Sequence, residues 1–462
     1  MKILFLALLY IGAFLLPVLL GGGVGVGLAR QISQAGAPAA MRATVVPKAA
    51  PPYDPQKPTV AVVLGDMNEV TDVLGPYAIF AETALYNVYT VAATRDLRAM
   101  TGGLDVVPHL AFSELDALLG GSPDIIVFPN ISTIKNANER PILDWLKRQV
   151  NDHTIIFSWC TGAHVLAAAG LLDGKTATAH WGDLDWLERD YPAVQWQRGV
   201  RYIDHGNLLT TAGLTSGVDA TLYLLARLHG QAFATRIAEA IQYTPHQWLA
   251  APTMIQYQLA PADMIYLLNS AFYWPKQPIG VWLYPGVGEF ELAGIFDVYG
   301  AVGSDRPYTL AATPSVRSQR GLQLLPRAQT PNLPTVERVL VPGGMAADQV
   351  AATVAGVREQ SPAPITLLAH PPTPTFAIEL VLEEFAQTHN LPTARFAAKR
   401  LEYRADSLEL HGPRLPIRGL VTPLLIGSLG VGGLWWLRRR RGLRQPLSSR
   451  TKALQYQQSS TG

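Results

Sequence analysis

A single cysteine in 462 residues, Cys160, excludes an intrachain disulfide even in an oxidising compartment. Charge is scarce too: Asp, Glu, Lys and Arg make up 16% of the chain, and the net charge of +2 singles out no partner. Histidines are scattered and share no ligand spacing with the lone cysteine, so no metal site is expected, and nothing calls for a cofactor. What the chain has instead is apolarity, 48% of residues with a mean hydropathy of +0.15, and the excess is concentrated at the two ends.

Ile3 to Leu20 is uninterrupted and uncharged, with Lys2 in front and a glycine-rich run to Leu28 behind. Gly419 to Leu437 is a second uncharged stretch, closed by Trp435 and Trp436. Each approaches the ~20 apolar residues that cross a bilayer, and paired tryptophans suit a membrane interface. Arg438 to Arg441 and Arg444 follow at once, and the positive-inside rule assigns that end to the cytoplasm. Lys2 is a weaker signal of the same sign. The expectation is a membrane protein with both termini cytoplasmic and the central region outside the cytoplasm. A cleaved signal peptide is the rival reading of the first segment, with Ala37-Pro38-Ala39 as a cleavage-like site. The arginine tail is too short for a DNA-binding module, so no nucleic-acid partner is expected.

Between the ends, apolar runs of strand length alternate with helical patterns: Thr59–Leu64, Val70–Ala84, Tyr86–Thr94, Asp124–Phe128, Pro141–Val150, Thr154–Trp159, then Thr176–His180, Leu184–Arg189, Leu208–Ala212 and Gly217–His229. Such alternation implies a parallel sheet with helices on both faces. The chain then repeats itself. Tyr89-Thr90-Val91-Ala92-Ala93-Thr94 recurs as Tyr308-Thr309-Leu310-Ala311-Ala312-Thr313, and Asp72-Val73-Leu74-Gly75 pairs with Glu291-Leu292-Ala293-Gly294 at the same offset. Ordered matches of this kind indicate a duplicated domain. In the second copy, Ile365–His370 and the helical Phe376–Ala386 resemble Leu208 to His229 of the first, which leaves no counterpart for the stretch around Cys160. The expected partition is 1–29 membrane helix or signal anchor, 30–58 Pro/Ala-rich linker, 59–245 first domain, 246–278 apolar linker, 279–405 degenerate second domain, 406–418 linker, 419–437 membrane helix and 438–462 basic tail. A helix covering a sheet edge is expected in the apolar linker.

Cys160 stands between the β-branched run Thr154–Trp159 and the helical run Val165–Leu172. A strand turning sharply into a helix lifts the corner residue out of the sheet. The helix N-terminus there favours a thiolate, and Gly162 gives room for the turn. The competing reading is a small buried apolar residue, the usual fate of a free cysteine.

Ser158-Trp159-Cys160-Thr161-Gly162-Ala163, then Ala168-Ala169-Gly170-Leu171-Leu172-Asp173-Gly174 and Ala177-Thr178-Ala179-His180-Trp181, resemble the ThiJ/PfpI family of the class I glutamine amidotransferase-like superfamily. The subgroup in view contains isonitrile hydratases and the sensor domains of AraC-type regulators. The resemblance covers 59–245 well and 279–403 weakly. It implies an α/β chain of two flavodoxin-like three-layer domains with parallel sheets, the second degenerate; the expected N- and C-terminal transmembrane helices flank them and lie outside the resemblance. It assigns Cys160 as nucleophile, Asp72 as its hydrogen-bonding acid and His180 as an approaching histidine. From spacing alone, Asp72 could be a helix N-cap and His180 a satisfied core histidine. Thr161 N–H would form half of an oxyanion hole beside Gly162. The other half, a Pro-Gly-Gly turn in the family, reads Pro129-Asn130-Ile131 here, whereas the second copy keeps Pro342-Gly343-Gly344. The implied activity is a cysteine-dependent hydratase or hydrolase acting on a small electrophile through a covalent adduct; a non-catalytic sensor or scaffold is the alternative. Family members often form dimers with the site near the interface. A homodimer is therefore one expected assembly, and a tandem pair could mimic it internally.

Overall fold

The computed structural model describes residues 1–33, 41, 46–131, 133–243, 252–276, 278–300, 302–345, 347–403 and 408–443. Ala37-Pro38-Ala39, much of the 30–58 linker, the start of the 246–278 linker and the tail from Arg444 onward lie outside the described residues.

The chain opens with helix α1 (Lys2–Ser33) and then builds a first lobe. Its elements are β1 (Thr59–Val63), α2 (Val70–Glu82), β2 (Asn87–Ala92), β3 (Arg98–Ala99), β4 (Asp105–Val107), β5 (Leu110–Ala111), α3 (Phe112–Leu119), β6 (Ile125–Phe128), α4 (Arg140–Gln149), β7 (Ile155–Ser158) and α5 (Ala163–Ala168). After α5 come β8 (Thr176–Ala177), α6 (Leu184–Asp190), β9 (Gln195–Trp196), β10 (Tyr202–Asp204), β11 (Leu208–Thr211), α7 (Leu214–His229) and α8 (Gln231–Ala240). Seven strands form one sheet in the order β10-β11-β7-β6-β1-β2-β5, parallel except for β10. Successive side chains of a strand face opposite sides. Accordingly Val60 and Val62 join one apolar cluster with α2, α7 and α8, while Ala61 and Val63 join another with α3, α4 and α5. That is a three-layer sandwich. The expected strand Thr176–His180 shrinks to β8, which pairs with β9 outside this sheet and leaves His180 in a turn.

Helix α9 (Ile265–Phe272) precedes the second lobe: β12 (Pro278–Trp282), α10 (Glu289–Tyr299), β13 (Arg306–Ala311), β14 (Val316–Arg317), β15 (Gln323–Leu325), β16 (Ala328–Gln329), β17 (Val339–Val341), α11 (Ala347–Gln360), β18 (Ile365–Leu367), α12 (Ala377–Thr388) and α13 (Leu391–Arg400). Its parallel sheet runs β16-β13-β12-β17-β18, the order β5-β2-β1-β6-β7 repeated. This corrects one expectation. Ile365–Leu367 occupies the place of β7, not of β11, because Val341 pairs with Leu367 as Phe128 pairs with Ser158. Two residues beyond each pair stand Cys160 in the first lobe and Ala369 in the second. The elbow strand is therefore present in the second copy without its nucleophile, and the short helix that follows Cys160 has no counterpart before α12.

The lobes share a four-stranded sheet, β14-β15-β4-β3. Its central pair is antiparallel with Leu324 opposite Val106, positions equivalent in the two copies, so a local two-fold relates the halves. Helices α2 and α10 pack across the same axis, and one apolar cluster spans both lobes without a break. Arg327 forms a bidentate pair with Asp105 across the junction, its Nε 2.7 Å from Oδ2. Buried bidentate pairs fix orientation.

The C-terminal helix α14 (Ile417–Leu443) lies antiparallel on α1, where Gly430 meets the Ala13 carbonyl and Arg438 covers the Tyr10 ring. Both helices outrun the expected 1–29 and 419–437. Among the described residues the linker helix α9 packs on α1, α14 and α13 rather than along a sheet edge. Gly25 of α1 is close enough to α9 that a Cβ there would lie 2.0 Å from the Ala271 carbonyl oxygen.

Candidate functional site

Cys160 adopts φ 52°, the left-handed region that non-glycine residues occupy only at a cost of ~1–2 kcal/mol. Two contacts hold it there. Its N–H donates to Thr211 Oγ1 on β11 at 3.0 Å, and Gly162 brings the elbow against β6, where a Cβ would stand 2.0 Å from the Phe128 carbonyl oxygen. Gly162 is thus needed for close approach, while the unusual dihedral falls on the cysteine itself. Nucleophile elbows have this geometry.

The expected thiolate does not follow. Cys160 is 3% exposed, and burial foremost, then the carboxylates of Asp72, Asp183, Glu69 and Glu402, push its pKa well above the ordinary thiol value. Asp72 lies in the first turn of α2, fully buried, and its pKa is likewise well above the carboxylate range, through burial and then the Glu69 charge. It is neither an N-cap nor a hydrogen-bonding partner of the thiol. Its Oδ2 accepts the Asn130 N–H at 3.1 Å, and its Oδ1 has no partner. The helix is capped from the other lobe, where the Asp297 carboxylate accepts the N–H groups of Val70 (3.3 Å) and Thr71 (2.7 Å).

His180 reaches the cysteine only indirectly. Cys160 Sγ lies 3.8 Å from Thr161 Oγ1, the Thr161 hydroxyl donates to Asp183 Oδ2 at 2.5 Å, and that oxygen is 3.7 Å from His180 Nδ1. His180 Nε2 donates to the Arg400 carbonyl at 3.0 Å. Burial works to lower the His180 pKa, but Asp183 outweighs it and raises it. Burial likewise works to raise Asp183, and the nearby His180 ring, with the hydrogen bonds from Thr161 and Trp186, outweighs it, holding that carboxyl below the usual range. His164 packs beneath the elbow, edge-on to Trp186, with its pKa lowered to about 4 by burial and by Lys135.

Asn130 N–H is taken by Asp72, so this turn does not offer it as an oxyanion donor. Ile131 is buried in the apolar cluster, packed where Gly65 leaves room.

The second lobe supplies the groups that local sequence patterns did not reveal. Arg400 Nη2 donates to Glu69 Oε1 at 2.6 Å. Glu402, at φ 55°, accepts from Gly213 N–H at 2.7 Å and from the Ser216 hydroxyl at 2.6 Å. Gly213 is tight against it: a Cβ would be 2.6 Å from Glu402 Cδ and 2.7 Å from His180 Cδ2. A cavity of about 410 Å³ lies at this junction, with Glu69, Asn130, His180 and Arg400 in its wall.

With this geometry in place, the relatives are informative. The family model described as DJ-1/PfpI family matches residues 58–227. An isonitrile hydratase from Pseudomonas putida is 33% identical over 177 residues, 38% of this chain and 73% of that protein. The HTH-type transcriptional regulator CdhR from Pseudomonas aeruginosa is 36% identical over 98 residues, 21% of this chain and 29% of the regulator. Among solved structures, a ThiJ/PfpI family protein from Pseudomonas syringae is similar at 26% identity and TM-score 0.36, covering 44% of this chain and 83% of that one. The chain belongs to the DJ-1/PfpI family, with the family domain in the first lobe.

Proposed function

We propose that the chain is a membrane-anchored DJ-1/PfpI protein whose first lobe hydrates or hydrolyses a small electrophile through Cys160, with the second lobe as a non-catalytic duplicate that completes the site. The observation that carries this reading is the elbow itself: a cysteine held at positive φ on a strand–helix corner, in the electrostatic field of the buried acid Asp72. Burial opposes charge on both groups, which suits an uncharged electrophile entering a dry site. On approach of a terminal carbon such as that of an isonitrile, the sulfur lone pair forms the S–C bond. The Asp72 carboxyl gives its proton to that carbon and takes up the thiol proton in exchange, giving a thioimidate and restoring the acid. Water then adds at that carbon, the C–S bond breaks, and the thiol is regenerated with a formamide as product.

Membrane anchoring is supported by α1 and α14, whose apolar windows over Ile3–Ile32 and Ile417–Arg440 are almost wholly unburied by the rest of the chain. Apolar surface of that extent suits lipid. The antiparallel pairing of the two helices suits termini on one side, read as the cytoplasmic side.

One observation favours the sensor reading as the alternative: Asn130 N–H is engaged by Asp72, which removes a donor that turnover would use. The test is to incubate the full chain with a simple alkyl isonitrile and follow formamide by NMR, beside Cys160→Ser. Cysteine-dependent formamide supports the enzyme. Saturable binding without product, retained in Cys160→Ser, supports the sensor.

A further inference from the structure

The cavity at the lobe junction has two unlike walls. One is polar: Glu69, Asn130, His180 and Arg400, joined by Lys276 and Asp305. The other is apolar and includes Ala29 and Ile32 from the last turn of α1, with Tyr266 of α9 and Phe396 of α13. A wall built from the helix read here as membrane-spanning is unusual for a soluble substrate's pocket.

Length explains how that wall arises. At ~1.5 Å per residue a helix of 32 residues runs ~48 Å, beyond the ~30 Å of bilayer hydrocarbon. The surplus turns pack on α9 and reach the lobes. Around them, Leu259, Met264, Tyr266 and Leu267 are exposed, as are Leu415 and Ile417 where α14 begins. Of this exposed apolar set Tyr266 also lines the cavity, and its helix α9 packs on both α1 and α14.

The polar wall has spare donors. Among the described residues, Arg400 Nη1 is buried without a partner, and Lys276 Nζ donates only to the backbone carbonyls of Asn269 and Gly303. The carboxylates in the same wall are engaged: Glu69 by Arg400 and Thr101, Asp305 by His389 and Ser304. Burial pushes the Lys276 ammonium down to about 8, against the opposing pull of the Asp305 carboxylate. Unsatisfied donors at a buried wall recruit an acceptor.

We infer that this cavity binds an anionic amphiphile, its oxygen-rich head on Arg400 and Lys276 and its chain along Ala29, Ile32, Tyr266 and Phe396 toward the bilayer. This is a ligand site distinct from the Cys160 chemistry, and it rests on the reading of α1 as a membrane helix. The head is a carboxylate or a phosphate, from a free fatty acid or from a phospholipid. At about 410 Å³ the cavity is within the range of small-molecule sites.

The test uses the full chain in phosphatidylcholine nanodiscs with a diazirine-bearing fatty acid, adducts being mapped by mass spectrometry. Adducts are expected on peptides holding Ile32, Tyr266 or Phe396, suppressed by excess dodecanoate and not by dodecylamine. Ile32→Asp and, separately, Phe396→Ala should each lower them at least five-fold without changing adducts on Ile3–Leu20. A parallel arm with diazirine-bearing phosphatidylglycerol assigns the source: labelling there identifies a lipid headgroup, and labelling by the free acid alone identifies a fatty acid. Adducts confined to Ile3–Leu20 and α14, or equal suppression by dodecylamine, would overturn the inference. An inert Cys160 would remove the catalytic reading and leave this binding result standing.

Discussion

The carboxylate of Asp297 accepts the backbone N–H of Thr71 at 2.7 Å, so the helix that carries Asp72 in the first lobe is capped by the second. A helix N-terminus buried without a cap leaves orphan donors. Together with Arg400 on Glu69 and Glu402 on Gly213, this contact makes the degenerate copy a structural part of the other copy's site.

Stability should fall as pH rises from 5 to 8. A carboxyl whose folded pKa exceeds its unfolded value, ~3.9 for Asp, contributes fully below that value and loses the contribution as pH climbs through the folded pKa. Asp297 is raised to about 7, by burial first, and Asp72 is raised well above its ordinary value. Asp72→Asn keeps an acceptor for Asn130 N–H and replaces the unpartnered oxygen. It should differ least from the parent below pH ~4 and exceed it at pH 8 by ~1–3 kcal/mol in denaturant melts. Parallel pH curves for the two proteins would refute the assignment.

Alkylation of Cys160 should be slow at neutral pH. Burial and four carboxylates oppose its ionisation, so the iodoacetamide rate of the native chain should still be climbing above pH ~8.5, where a free thiol is half ionised. Asp72→Asn should move the profile to lower pH. A plateau below pH 7 would mean the helix terminus wins over burial.

Gly162→Ala should cost ~2–4 kcal/mol, because a Cβ 2.0 Å from the Phe128 carbonyl forces β6 and the elbow apart. Gly121→Ala, with nothing within 4 Å, is the control and should change the melting temperature little. Equal effects would show that the elbow is not tightly docked.

The parallel sheet, the duplication and the elbow were legible because each is local: an apolar run of strand length, a recurring hexapeptide, a cysteine between strand and helix. The site's surroundings were not. Arg400, Glu402 and Asp297 reach the first lobe through the two-fold at Val106 and Leu324, and nothing in Ala398–Tyr403 marks it as part of a distant pocket. Asp183 carried a faint signal, three residues after His180 in His-Trp-Gly-Asp, yet its hydrogen bond with Thr161 depends on a turn that replaced an expected strand. Asp72 was found by resemblance, and its orientation toward Asn130 is set by packing that no spacing reveals.

The second lobe offers the sharpest test of what the elbow contributes. Ala369 holds the register position of Cys160, exposed in the wall of a cavity of about 570 Å³ with His370 and Glu291 beside it. His370 Nε2 is 3.0 Å from Glu291 Oε1, and that hydrogen bond, more than burial opposes it, raises the histidine pKa. A thiol placed there would be accessible and next to a cation. Ala369→Cys in a Cys160→Ser background should therefore react with iodoacetamide at pH 7.5 at least ten-fold faster than Cys160 does in the parent. It should not restore isonitrile turnover, because Glu291 is tied to His370 and no helix follows residue 369 before Ala377. Mass-spectrometric labelling rates and the formamide assay measure the two outcomes separately. Slow labelling would show that position 369 is not the counterpart of the elbow, and restored turnover would show that the elbow's strained backbone is dispensable for the chemistry.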